Sequence, residues 1–576
     1  MKNYARILGY TGLIIGVILY ITLAYMLVEN RDIYDDNVTW FHKYIVEYVK
    51  NAGDLSNARG LSFIDGRNLL ASPILIDYII AYLNIPLNYW TLLTGIIYII
   101  VVFALTYVLT RDLVVSGVAS MLLSVTPCFI YWFKYNVFGA YTFQPLTITA
   151  IILLGMGLTS GGRNKITVGV VLAILSWFID SNGWLIPLTI SVYLAILMYK
   201  NVIDVKYIYP SITILSLTLP INIISRYTYI TRYHVYAYAS LLLVLILYLV
   251  LYRVKKTLSG VSRYAFAFIG SLSMYLIGLY ITAYIDASIR IPGVLENYAK
   301  AFNPVMDLGV NGLFTLLALI MIIRSKMITS IENRFTELSL ITVFVTGIVL
   351  AYYNQVLSVI SIASMLPFIS LALVSISTAL IKSGRGYYRY VYGFIALWII
   401  IGGLIASAIP SYTLSTSSPR IYYLDLPREL MLKREINSSA LLHVLESIRF
   451  DNRSKLVIAY WGYSYWIVGY LGPNTYTLAD PTGSINGWRI ISWIFLSDED
   501  TALGVIKGIV GNRTDIDVYV LVSEVVSIEN VENPGGGRII ADIGHVLIMP
   551  PATPGGAART SFMAVGDLGR ILTYLA

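Results

Sequence analysis

Long apolar runs, each able to cross a lipid bilayer, dominate the chain before residue 410. A helix needs roughly 17–25 mostly apolar residues to span the hydrocarbon core. The sequence therefore predicts thirteen spans within a membrane domain at 1–409. They lie at about 7–27, 88–110, 113–133, 140–158, 165–180, 183–199, 207–225, 235–252, 264–285, 308–324, 338–353, 357–381 and 389–409.

The composition leads to the same class of protein. Hydrophobic residues make up 57% of the 576 residues, charged residues 12%, and the mean hydropathy is +0.73. Soluble domains are about 25% charged, so the excess apolar surface must face lipid. A soluble enzyme, a disordered chain and a collagen-like chain are excluded. The single cysteine, Cys128, excludes an intrachain disulfide and a cysteine metal cluster.

The distribution of Lys and Arg predicts the orientation. If the N-terminus is cytoplasmic, seventeen of the 40 Lys and Arg residues fall in cytoplasmic loops, and ten fall in the opposite loops before residue 410. The positive-inside rule then places the N-terminus in the cytoplasm of a cell-membrane protein. The first run follows Lys2 and Arg6 and has no small-residue cleavage site, so we expect a retained signal anchor. The net charge of +8 is assigned to these loops and not to a nucleic-acid partner.

Three segments are expected on the external side. Two are loops, at about 28–87 and 286–307, and the third is the tail at 410–576. The tail alternates apolar strands with polar helical stretches, which predicts a small external α/β domain. Its predicted strands are 455–461, 517–522 and 545–549, and its predicted helices are 427–449 and about 498–511, the latter capped by Ser497 or Asp498.

Four N-x-Ser/Thr sites all fall in these external segments. They begin at Asn37, Asn437, Asn452 and Asn512. Such sites are acceptors for N-glycosylation, so we expect the chain to meet a glycosylation machinery.

An aromatic cluster in the tail carries the most specific pattern. It runs YWGYSYW over 460–466 and is followed by TLAD at 477–480. Alone, the cluster could be core packing or a platform that stacks sugars. With TLAD, and just beyond thirteen spans, it resembles the catalytic subunit of oligosaccharyltransferase, the archaeal-type dolichyl-phosphooligosaccharide–protein glycotransferase family. The family pattern is WWDYG, then a TLAD stretch, then a helix, which SDEDTALGVIKGI resembles here.

This resemblance implies a C-type glycosyltransferase-like fold, a lipid-linked oligosaccharide and an acceptor polypeptide. It also implies that carboxylates hold Mg²⁺ or Mn²⁺, which prefer oxygen ligands. Asp35 or Asp36, before an aromatic-rich segment, and Glu296, in GVLEN, match the family positions. A solvated acidic turn and a simple surface Glu are the alternative interpretations.

The other site residues follow from the same resemblance or from charge. Trp461, with Tyr460 and Tyr463, would form the acceptor pocket. Arg226 and Arg232 are candidates for the lipid phosphate, by charge-assisted hydrogen bonds. The alternative is that they are interfacial and snorkel toward water.

Three family positions are missing. The stretch 133–146 has no acid where the family has a D-x-D-like motif, and Asn136 and Gln144 are weaker ligands. Position 462 is Gly where the family has an Asp, and 355–367 has no Arg where the family has one for the lipid phosphate. Asp180, at the end of a predicted span, is either a substitute ligand or an ordinary turn residue.

These observations leave three hypotheses. The first is an enzyme that transfers a polyprenyl-linked glycan to the Asn of N-x-Ser/Thr. The second is a catalytically impaired paralogue that binds lipid-linked glycan or assists a true catalytic subunit. The third is another membrane glycosyltransferase that uses a lipid-phosphate sugar. No nucleic-acid partner is expected.

Overall fold

The computed structural model is mostly helical in the part of the chain that it describes. The described residues are 2–28, 34, 37–53, 75–160, 162–200, 207–224, 232–254, 304–324, 334–351, 354–416, 445–446, 453–459, 464–479, 485–511 and 515–520.

Sixteen α-helices of four residues or more precede residue 417 in these residues. They are α1 Lys2–Ile21, α2 Asn37–Ala52, α3 Leu75–Leu83, α4 Leu87–Thr110, α5 Leu113–Ser124, α6 Pro127–Phe133, α7 Gln144–Ser160, α8 Arg163–Ile179, α9 Leu185–Tyr199, α10 Ile208–Ile224, α11 Arg232–Val254, α12 Pro304–Leu308, α13 Val310–Arg324, α14 Phe335–Ala351, α15 Leu357–Ser383 and α16 Tyr388–Thr416. A π-helical turn, Thr22–Met26, extends α1, and a 3-10 turn, Ala140–Phe143, precedes α7.

The chain is an integral membrane protein. Among the described residues, six helices are long and apolar enough to cross a membrane, or seven if the bent pair α5–α6 counts as one span. Helices occupy twelve of the thirteen predicted positions. The remaining run, 264–285, lies outside the described residues, so the total of thirteen spans stays a prediction.

The predicted span 113–133 is broken. Helices α5 and α6 meet at an angle of 63°. Pro127, the first residue of α6, has no N–H to donate and disfavours a helical residue before it. Side chains of other helices form hydrogen bonds with polar groups at the break. Ser411 donates to the Val125 carbonyl (2.7 Å), and Asn311 donates to the Thr126 hydroxyl (2.8 Å).

Small residues let α1 and α5 pack in close contact. A Cβ added at Gly12 would lie 2.8 Å from the Cα of Gly117, and one at Gly9 would lie 2.5 Å from the Leu113 carbonyl oxygen. Close backbone approach of this kind is typical of helix pairs within a membrane.

The described part of the tail contains a parallel three-stranded sheet and three helices. In chain order the elements are β1 Ser454–Ile458, α17 Ser464–Leu471, β2 Thr475–Thr477, α18 Ile485–Leu496, α19 Glu499–Val510 and β3 Ile516–Val520. The strand order is β2-β1-β3, with Leu456 between Tyr476 and Val518. Parallel neighbours need crossover connections, and α17 supplies the one between β1 and β2.

The tail agrees with the sequence prediction only in part. Strands β1 and β3 and helix α19 occur at predicted positions, and Asp498 caps α19 by accepting from the Thr501 N–H (2.9 Å). The predicted strand 455–461 ends at Ile458, however, and α17, β2 and α18 were not predicted from the sequence. Strand 545–549 and nearly all of helix 427–449 lie outside the described residues.

Candidate functional site

Helix α2 begins directly after the two candidate metal ligands. Asn37 is its first residue, and Asp35 and Asp36 precede it. The helix is amphipathic and buries Trp40, Phe41 and Tyr44. Because α2 buries these aromatic side chains, we expect the first external loop, which contains α2, to have a fixed position.

Helix α17 begins directly after the aromatic candidate residues. Ser464, its first residue, donates a short hydrogen bond to the Ala479 carbonyl. The Thr477 hydroxyl donates to the same carbonyl at 3.1 Å. These bonds hold the TLA part of the TLAD motif at the start of α17. The bond from Ser464 to Ala479 therefore links the helix after the aromatic cluster to the TLAD stretch.

Helices α2 and α17 pack against each other through aromatic rings. The ring centroids of Trp40 and Trp466 are 5.3 Å apart, and those of Trp40 and Tyr470 are 6.0 Å apart. Phe41 meets Tyr465 edge to face at 5.2 Å. Each such ring pair contributes about 0.5–1.5 kcal/mol beyond the area that it buries.

Backbone contacts make the approach of α2 and α17 closer still. A Cβ at Gly469 would lie 2.5 Å from the Trp40 carbonyl oxygen. The Lys43 ammonium donates to the Gly469 carbonyl (2.9 Å), lies 3.5 Å from a Glu47 carboxylate oxygen and lies 4.9 Å from the centre of the Trp40 ring. Lys43 therefore links α2, its own helix, to α17.

Helix α2 is also fixed to the membrane bundle. The Thr39 hydroxyl donates to the Phe138 carbonyl (3.1 Å) and accepts from the Phe138 N–H (2.7 Å). Thr39 is fully buried. The sequon that starts at Asn37 therefore has its threonine inside the protein.

The acid-free stretch around 133–144 is packed into the bundle. Its carbonyls at Phe133 and Val137 accept hydrogen bonds from Tyr20 (2.7 Å) and Thr91 (2.6 Å). Gln144 accepts from the Tyr98 hydroxyl (3.3 Å) and donates to the Val356 carbonyl (3.4 Å). The side-chain oxygen and nitrogen of Gln144 thus both form hydrogen bonds within the bundle, and Asn136 is also buried.

Asp180 follows α8 and is fully buried. One carboxylate oxygen accepts a hydrogen bond from the Thr147 hydroxyl, and the other accepts from the Asn182 N–H (2.9 Å). This is the pattern of an Asx turn. It supports the turn interpretation over that of a substitute ligand.

A buried amide just before α15 bonds to a buried acid on α12, near the stretch where the sequence lacks the expected arginine. Gln355 donates to the Asp307 carboxylate at 2.7 Å, and both side chains are buried. A buried carboxylate disfavours a phosphate beside it. This region therefore differs from the oligosaccharyltransferase pattern in charge as well as in residue type.

Most of the predicted site residues lie outside the described residues. They are Asp35, Asp36, Glu296, Tyr460, Trp461, Tyr463, Arg226, Asn437, Asn452 and Asn512. Arg232 and Asn37 are the first residues of α11 and α2. Within the described residues, no group of three or more His, Cys, Asp or Glu could hold a metal ion.

Sequence reasoning missed a buried pair between α2 and α3. His42 Nδ1 lies 2.9 and 2.8 Å from the two carboxylate oxygens of Asp77, and both side chains are fully buried. Burial raises the pKa of the Asp77 carboxyl, and the neighbouring His42 charge acts in the opposite direction. The two residues are far apart in the sequence, and no periodic pattern links them.

The fold is similar to solved structures of the Archaeoglobus fulgidus oligosaccharyltransferase. Against the apo form the TM-score is 0.62 at 12% identity, over 90% of this chain and 69% of that one. Against the form tethered by a disulfide to an acceptor peptide with the NVT sequon it is 0.59 at 13% identity, over 91% and 70%. Against the complex with Zn and sulfate it is 0.58 at 13% identity, over 88% and 67%.

The similarity at this level of identity is one of fold. No protein-family model and no curated protein matches the sequence. The chain is thus an integral membrane protein with an oligosaccharyltransferase-like fold.

Proposed function

We propose that this protein transfers a polyprenyl-linked glycan to the Asn of N-x-Ser/Thr in an acceptor polypeptide. One observation carries the proposal: on an oligosaccharyltransferase-like fold, the helix after Asp35–Asp36 packs on the helix after Tyr460–Tyr463. The segment with candidate metal ligands and the segment with candidate acceptor-binding rings are each within a few residues of this contact.

The proposed roles follow the chemistry of the side chains. Asp35 or Asp36, with Glu296, would hold Mg²⁺ or Mn²⁺, since carboxylate oxygens suit these hard cations. When bound, the cation would act as a template and Lewis acid. Trp461, Tyr460 and Tyr463 would form an apolar wall for the acceptor.

The donor would bind by its lipid phosphate. Arg226 and Arg232 are the cations that we assign to it, because guanidinium groups pair well with phosphate. Asp307, which accepts from Gln355, argues against a phosphate at the start of α15.

The proposed topology has a cytoplasmic N-terminus and an external tail. The contact between α2 and α17 supports placing the first loop and the tail on one side of the membrane, and the distribution of Lys and Arg supports that side being external. An even number of spans must then separate the first loop from the tail, as thirteen spans in total require.

A transfer assay tests the proposed function. Purified full-length protein would be mixed with a polyprenyl-linked oligosaccharide, a labelled N-V-T peptide and Mn²⁺. We expect glycopeptide to form, and to fall when Asp35 and Asp36 are both changed to Asn or when a chelator is added. Absence of glycopeptide with several lipid-linked donors, while the peptide still binds, would overturn the enzymatic proposal.

The impaired paralogue is the second candidate, and specific observations favour it. The stretch around 133–144 has no acid and is held by hydrogen bonds within the bundle, and an amide–acid pair stands where an arginine is expected. If this candidate is correct, the protein binds the lipid-linked oligosaccharide without transferring it. Binding of labelled donor in the absence of product, under conditions in which an active homologue turns over, is its signature.

A further inference from the structure

His42, one member of the His42–Asp77 pair, lies on α2, the helix that packs against α17. His42 is one turn or less from Trp40, which packs on Trp466, and from Thr39, which bonds to Phe138. Asp77 lies in the first turn of α3, and α3 packs against α2 and α8. The pair therefore links α2 to an element that also contacts the bundle.

Aromatic rings enclose the imidazole. Phe138 meets the His42 ring edge to face at 5.2 Å, and Phe41 does so at 5.4 Å. Among the ion pairs between described residues, this pair has both side chains fully buried, whereas the others are partly exposed. Solvent therefore cannot replace either partner.

Removal of the His42 imidazole would take away the hydrogen-bond partner of the buried Asp77 carboxyl, which is strongly destabilising for the local arrangement. The carboxylate also favours the imidazole form with the proton on Nδ1, which fixes the ring orientation. Because the ring sits on the inner face of α2, the pair sets the rotation and depth of that helix.

We infer that His42 and Asp77 form a positioning pair that holds α2, the helix that directly follows Asp35–Asp36 in the sequence, in register with α17. This inference rests on the proposed function for its catalytic consequence. Its structural part, the fixed placement of α2 against α17, can be tested without activity.

Three variants test whether His42 acts through the hydrogen bond of its Nδ1 atom or through the packing of its ring. Asn at position 42 can present an amide donor near the place of Nδ1, so His42→Asn should retain the link to Asp77. His42→Leu and Asp77→Ala remove it. Asn311→Ala is the matched control, because Asn311 is a buried hydrogen-bonding residue on α13 in the membrane bundle.

The first measurement is a distance between spin labels. Asn51, near the end of α2, and Asn474, in the turn before β2, are exposed and would be replaced by labelled cysteines. The native Cys128 is buried. We expect one narrow distance distribution in the parent protein, in His42→Asn and in Asn311→Ala, and a shifted or broader one in His42→Leu and Asp77→Ala.

Two results would overturn the inference. One is an unchanged distribution in both His42→Leu and Asp77→Ala. The other is a change in His42→Asn as large as in His42→Leu, which would show that the ring acts by something other than its Nδ1 contact. If Asp77→Ala does not yield folded protein, the two position-42 variants decide alone.

The second measurement is steady-state transfer to an N-V-T peptide. A displaced α2 would weaken the binding of peptide and metal at a site shared by the first loop and the tail, so we expect the peptide KM and the Mn²⁺ requirement of His42→Leu to rise about tenfold, the change that about 1.4 kcal/mol of binding free energy gives. Simple loss of folded protein would lower the apparent kcat and leave both unchanged, and that result would contradict a positioning role. Absence of transfer by the parent protein counts against the proposed function alone, since the spin-label distances are independent of activity.

Discussion

The indole of Trp40 packs on the indole of Trp466, with ring centroids 5.3 Å apart and planes inclined by 38°. One ring belongs to the loop after the first span and the other to the tail. The rings join the two segments in which the resemblance to oligosaccharyltransferase places metal and acceptor binding.

Gly469→Ala should weaken the contact. The new Cβ would lie 2.5 Å from the Trp40 carbonyl oxygen and 3.0 Å from its ring, and backbone cannot move aside easily. Overpacking costs typically about 1–3 kcal/mol, so the unfolding temperature should fall. Gly504→Ala on α19 is the control, because a Cβ there meets nothing within 4 Å. Equal unfolding temperatures for the two variants would count against tight packing of α2 on α17.

Asn37 should stay unmodified in the folded protein, although it begins a sequon. An enzyme that reads both Asn and Thr needs both side chains, and the Thr39 hydroxyl is buried and bonded to Phe138. Mass spectrometry of glycopeptides from a host with N-glycosylation would test this. Full occupancy at Asn37 would show that modification precedes folding or that the helix opens.

Gly462→Asp should improve selection of the acceptor sequon. A buried hydroxyl without a partner costs about 1–3 kcal/mol, and Gly462 has no side chain to accept its proton. We therefore expect the native protein to distinguish N-x-Thr from N-x-Ala peptides poorly, and the variant to gain about ten- to a hundredfold, since about 1.4 kcal/mol is tenfold.

Equilibrium binding of the two labelled peptides to detergent-purified protein is the measurement for Gly462→Asp. Gly472→Ala in the same domain is the control, since a Cβ there meets nothing within 4 Å, although its φ of +94° makes the change mildly strained. A strong native preference for N-x-Thr would mean that another residue accepts the hydroxyl proton.

The topology should be visible by cysteine labelling in intact cells. Asn474→Cys, in the tail, should react with a membrane-impermeant maleimide, and Tyr387→Cys, in the turn between α15 and α16, should not. Both positions are exposed, and the native Cys128 is buried, so background labelling should be low. Labelling of Tyr387→Cys alone would reverse the orientation derived from the Lys and Arg distribution.

Local signals predicted the positions of many elements. Apolar runs predicted where twelve helices or helix pairs of the described residues occur, and the capping side chain of Asp498 predicted the start of α19. The break at Pro127 was missed because the run 113–133 is apolar throughout, although proline within it was a usable signal. The end of β1 was misplaced because clustered aromatic residues favour strands, whereas tertiary packing on α2 makes Ser464–Leu471 a helix.

The site depends on contacts between distant segments, which the sequence does not encode locally. Trp40 meets Trp466, Lys43 reaches Gly469, and His42 pairs with Asp77 across the chain between α2 and α3. Each residue alone has an ordinary interpretation as packing or as a solvated charge. The resemblance indicated which segments should meet, but not which side chains hold them together.

Photo-crosslinking from Tyr470 tests the central claim most directly. p-Benzoylphenylalanine would replace Tyr470, whose ring centroid is 6.0 Å from that of Trp40, and the full-length protein would be irradiated in membranes and digested. The account predicts a crosslinked peptide pair that joins the tail to α2, within 37–52 and centred on Trp40. Crosslinks confined to the tail, or formed with other loops, would contradict the claim that the first loop and the tail form one site.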